Sequence, residues 1–96
     1  MARVRIECTT EAPHYDLSIY SPSFKLLHQC PPNTPFDGDL SAGEYLLAWR
    51  ILGDELTGYK IEFTGVTDPE KPIDRKIHKG QVAAAVTRTF HVGKSQ

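Results

Sequence analysis

The sequence predicts an all-β antiparallel sandwich of about seven strands. Three observations carry this. Apolar and polar residues alternate with a period of two in stretch after stretch. Clusters of Pro, Gly, Asn, Asp and Ser interrupt these stretches at strand-length intervals. No segment shows a convincing helical period.

Each element follows from its parity. Val4, Ile6 and Cys8 share one face and Arg3, Arg5 and Glu7 the other, the pattern of a strand buried on one side. In "HYDLSIY" Tyr15, Leu17 and Ile19 point inward, and Ser21–Pro22 breaks the chain. "SFKLLHQC" puts Phe24, Leu26 and Cys30 on one parity, with His28 between them on the same inward face. "PPNTP" lacks the N–H donors of a ladder interior and is expected to run extended as a crossover. "FDGDLSAG" is expected to form two successive turns, with Gly38 and Gly43 supplying positive φ.

"EYLLAWRI" is the clearest strand, with Tyr45, Leu47, Trp49 and Ile51 on one side. "LGDELTG" has hairpin length and is bounded by Gly53 and Gly58. "YKIEFT" alternates again through Tyr59, Ile61 and Phe63, and "GVTDPEKP" is a turn-rich connection. "IDRKI" reads as a short edge strand blunted by an inward Arg75. In "QVAAAVTRTFHV" Val82, Ala84, Val86, Phe90 and Val92 share a face that Arg88 interrupts, so a bulge is expected there. A helix over "QVAAAV" is disfavoured by its two β-branched valines and the continuing period of two.

"LSAGEYLLAWRILGDELTGYKIEFTG", with the later "FHV", resembles a pattern in small bacterial Ig-like and prealbumin-like β-sandwich domains. There a glycine turn such as "AGEY" starts a strand, a Gly-bounded hairpin follows, and a Y-x-I-x-F strand returns. The sequence departs from true immunoglobulin domains, which place a Trp between two bridging cysteines, because Cys8 and Cys30 both precede Trp49. The resemblance implies a fold and carries no function with it.

Length and charge narrow the function. The 96 residues are expected to form a single domain spanning 1–96. Eleven basic residues lie scattered among twelve acidic ones, for a net charge of −1. No basic stripe exists to neutralise phosphates, so a nucleic-acid partner is not expected. The apolar runs are too short to span a membrane. "MARVRIEC" contains no apolar run of signal-peptide length, which predicts a cytoplasmic protein with reduced Cys8 and Cys30. Leaderless secretion would permit a disulfide between them.

Candidate chemistry is sparse. His14, Asp16 and Ser18 share a strand face, which polar alternation explains without a hydrolytic triad. His14, His28, His78 and His91 show no paired metal-ligand spacing, so no metal and no cofactor are expected. Asp37 and Asp39 in "DGD" are read as turn residues, with a calcium loop as the sharper alternative. Trp49 has core parity, with sugar stacking as the sharper alternative. No catalytic residue is assigned.

The expected function is therefore a small non-catalytic interaction module. It would self-associate, as a homo-oligomer, or dock a protein partner through a sheet edge or face. The alternative is a carbohydrate- or calcium-dependent ligand module on the loops around Asp37, Asp39 and Asp68. A hydrolase or isomerase trails both.

Overall fold

In a computed structural model the chain is described over residues 1–93. Eight strands and no helix form there: β1 (Ala2–Thr10), β2 (His14–Tyr20), β3 (Leu26–Gln29), β4 (Phe36–Leu40), β5 (Gly43–Leu52), β6 (Gly58–Thr64), β7 (Ile73–Lys76) and β8 (Ala83–Val92). Two antiparallel sheets result, with orders β4-β1-β6-β7 and β3-β2-β5-β8. They bury their inner faces against each other, the layering of a β-sandwich.

The predicted inner parity holds in the long strands. Val4, Ile6, Leu17, Ile19, Leu47, Trp49, Ile51, Ile61 and Phe90 are all buried. Aromatic contacts tie the layers together. Phe63 of β6 meets Phe90 of β8 at 5.7 Å between ring centroids, and Trp49 of β5 meets Tyr59 of β6 edge-on at 6.4 Å.

Four expectations are corrected. First, "FDGDL" is a strand, not the first of two turns. Phe36 and Leu40 point inward, and β4 pairs with β1 from Ala2↔Leu40 to Ile6↔Phe36. Gly38 is a strand residue there because the Phe36 ring folds over it, 3.1 Å from where a Cβ would sit. Positive φ is found at Gly43, as expected, but not at Gly38.

Second, "LGDELTG" is not a hairpin. β5 and β6 lie in different sheets, so this loop carries the chain from one layer to the other. Third, β8 has no bulge at Arg88. Its ladder with β5 runs unbroken from Gly43↔Val92 to Leu52↔Ala83. The arginine is instead accommodated on the inner side, with its Nε buried and unpartnered. The irregularity lies elsewhere, between Ile19 and Tyr20 where β2 pairs with β3.

Fourth, Phe24 does not point into the core. It sits at a φ of 65° in the turn before β3 and is 73% exposed. Leu26 and Val82, also placed on the inner face by parity, are exposed too, the latter just before β8. His28 keeps the inward direction expected of it. Its ring lies 5.2 Å from that of Phe36 across the open side of the sandwich, with much of its surface in solvent.

Candidate functional site

A two-sheet sandwich has four edge strands, and here they differ in kind. β4 is five residues long and carries a ladder of charge. Asp37 accepts from Arg3 Nε at 2.9 Å and from Arg5 Nη1 at 3.2 Å, and Asp39 lies 3.9 Å from Arg3. β3 has four residues and an irregular register. Phe24, Leu26 and Leu27 are exposed there, but the ladder is too short and irregular to template a strand. β7 also has four residues, two of them the charged Asp74 and Lys76 facing outward. Short length and charge both discourage pairing.

β8 is different. It spans ten residues at the edge of its sheet, and the run from Ala83 to Thr87 is uncharged. Its free backbone groups follow from the ladder. His91 N–H donates to Asp68 C=O at 2.9 Å, and its C=O accepts from Thr67 N–H at 2.8 Å. His91 therefore turns its backbone away from β5. Antiparallel pairing alternates this direction residue by residue. Ala83, Ala85, Thr87 and Thr89 consequently also point their N–H and C=O groups outward. Val82 confirms the phase, since its C=O accepts from Gly53 N–H on the β5 side. Among the described residues no strand or loop satisfies those four outward positions.

Beside this edge, between β7 and β8, lies a groove of about 610 Å³. Tyr59, Ile77, Ala84 and Val86 give it apolar walls, while Arg75 and Lys79 contribute positive charge. Arg75 fulfils its predicted inward direction and lies over the Trp49 ring, 6.0 Å from the centroid. Trp49 is a core residue, 2% exposed, and its Nε1 has no hydrogen-bond partner.

No protein family, no curated protein and no solved structure matches this chain. The site therefore stands on its own geometry.

The residues singled out from the sequence are dispersed. Asp37 and Asp39 lie outward on β4, at one edge of their sheet. Asp68 lies in the connection leading to β7, at the other edge. There it faces His91 Nδ1 at 3.5 Å and Arg88 Nη2 at 3.8 Å. The three carboxylates are not brought together. Among the described residues no group of three His, Cys, Asp or Glu side chains is arranged to hold a metal. No helix among them is long and apolar enough to cross a membrane.

His14 does approach Asp16, with Nε2 3.2 Å from Oδ2. The same oxygen also accepts from Arg50 at 2.8 Å, and no bond joins Ser18 to either residue. The groove escaped the sequence reading because its walls come from β6, β7 and β8, far apart along the chain. A usable signal did exist in "AAAVT": five successive uncharged positions of β8, in contrast to the charged β4 and β7.

Cys8 and Cys30 are free thiols, the first buried on β1 and the second half-buried after β3. Burial pushes the Cys8 thiol up from 9.0 to about 11, and raises Cys30 as well. Both therefore stay protonated near neutral pH, which suits packing and not nucleophilic attack. The linkage sign follows. The unfolded thiol loses its proton near 9.0 and the folded one only near 11, so stability is full below that window and falls as pH rises through it. Urea midpoints of wild type and Cys8→Ala, compared across that range, are expected to diverge, with the wild type losing more.

Proposed function

We infer that this protein is a non-catalytic interaction module that accepts an extended protein segment along the free edge of β8. The observation that carries this reading is the contrast between edges. Three are short, irregular or charged, while β8 offers four alternate outward-facing backbone positions with no partner among the described residues. Main-chain hydrogen bonds from an added strand would satisfy them, and the adjoining groove would receive side chains.

The loop-borne calcium or carbohydrate reading has less support. Asp37 and Asp39 already face arginines on a strand, and Asp68 sits at the opposite edge. For the architecture we favour the prealbumin-like comparison over the Ig-like one. The constant-type immunoglobulin sandwich places its first two strands in one sheet, whereas β1 and β2 here lie in different sheets.

Panning a displayed library of random short peptides against the folded protein tests the reading. The expected binders slow amide exchange at Ala85, Thr87 and Thr89. They also bind Thr87→Pro at least about tenfold more weakly, because proline obstructs strand addition there. Binders that map elsewhere, or that ignore Thr87→Pro, count against the edge. Light scattering on the free protein separates the two kinds of occupant. A homo-oligomer with those same amides protected assigns the edge to a second copy.

A further inference from the structure

We propose that the strand received by β8 is an acidic segment of another protein, about seven residues long, alternating apolar residues with carboxylates. This deepens the edge-docking reading and rests on it.

The length comes from the two ends of the lane. At one end the Val82 carbonyl is held by Gly53 N–H, and the chain turns away. At the other the Thr67–Asp68 segment clasps His91. Only positions 83–89 are open between them. A second copy's β8 could pair antiparallel over these seven positions, but it carries Arg88 and no carboxylate, so it would leave the groove's cations without partners. A short segment from a different protein does fit.

The charge comes from the groove. Four of the five arginines, Arg3, Arg5, Arg50 and Arg88, have a carboxylate within 4 Å. Arg75 at the groove has none among the described residues and rests on Trp49 instead. Lys79 also lines the groove, with no ion-pair partner among the described residues. Glu55, from the β5–β6 loop, accepts from Gly80 N–H in a short contact. A chain of net charge −1 thus collects unpaired cations beside its one long free edge. Carboxylates on the incoming strand supply the missing partners. On a strand the two kinds of side chain take opposite faces, so the carboxylates turn toward the groove and the apolar residues lie beside Ala85 and Thr87 on the outer face of the sheet.

The test titrates isotopically labelled protein with two synthetic peptides, one alternating valine with glutamate, the other valine with lysine. The glutamate peptide is expected to bind at least about tenfold more tightly and to protect the amides of Ala85, Thr87 and Thr89. Arg75→Gln combined with Lys79→Gln is expected to erase that preference while leaving the free protein's spectrum folded. Equal binding of both peptides at the same amides overturns the acidic assignment and leaves edge docking standing. Glutamate-peptide binding that perturbs the groove without protecting the β8 amides overturns both. No binding by either peptide overturns the acidic assignment, and the edge reading is then decided by the library selection alone.

Discussion

Proline at position 87 is expected to leave the fold standing, and proline at position 86 to destroy it. The two residues are neighbours on one strand, and both are uncharged. They differ in where their backbone points. Val86 pairs with Trp49 in the unbroken β5–β8 ladder, in the phase that turns its N–H toward β5. Val86→Pro removes that donor, leaves a buried carbonyl on β5 without its partner, and forces the ring against the neighbouring strand. The loss is on the order of 3 kcal/mol or more, a large share of the roughly 5–15 kcal/mol that holds a chain of this size together. Thr87 turns its N–H to the open side, so Thr87→Pro removes a donor that nothing uses. Its cost is the strain of a φ near −65° in a strand, about 1–2 kcal/mol. Urea unfolding with amide spectra of both variants checks the pair. Survival of Val86→Pro with collapse of Thr87→Pro would show that the outward positions have been assigned to the wrong phase.

Glycine 65 is expected to be far less replaceable than glycine 80, although their backbones match. Both adopt positive φ, 85° and 84°. That conformation alone costs an L-residue about 1 kcal/mol, which is what Gly80→Ala should show, since nothing lies within 4 Å of its added methyl. At Gly65 the added Cβ would lie 2.1 Å from the Arg3 carbonyl oxygen. That atom belongs to β1, which is pinned between β4 and β6, so it has no room to yield. Gly65→Ala must then displace the start of the β6–β7 connection or the pairing of Arg5 with Thr64. A loss of more than about 2 kcal/mol is expected, against about 1 kcal/mol at Gly80. Thermal or urea unfolding of the two variants side by side decides it. Similar losses at both sites would mean that β1 gives way easily.

Much of this architecture was legible because period-two alternation is a local property. Val4, Ile6 and Cys8, or Tyr45, Leu47, Trp49 and Ile51, declare their inner face within a few residues. β4 was missed because its middle inward position is Gly38 and its flanks are carboxylates, so composition spoke for a turn. The surviving signal was the shared parity of Phe36 and Leu40. The layer change between β5 and β6 was invisible for a different reason. A loop of hairpin length also suffices to step between sheets, and which sheet receives the next strand is decided by distant partners such as Thr10↔Tyr59. Arg88 looked like a disruption because parity ignores depth: near an edge an inward arginine can reach Asp68. The groove was the least legible feature, since Tyr59, Arg75 and Ala84 meet only after both sheets have formed.

The clasp of Thr67 and Asp68 on His91 also bears on stoichiometry. Fibrils grow when each added strand exposes a fresh, full-length template for the next. Here the template is cut short by the chain's own connection, so a segment that filled positions 83–89 would meet stops at both ends and offer its successor neither the groove nor its cations. Under the proposed docking, occupancy is expected to saturate at one equivalent per chain, and the same three residues that shorten the open edge would act as a brake on uncontrolled polymerisation.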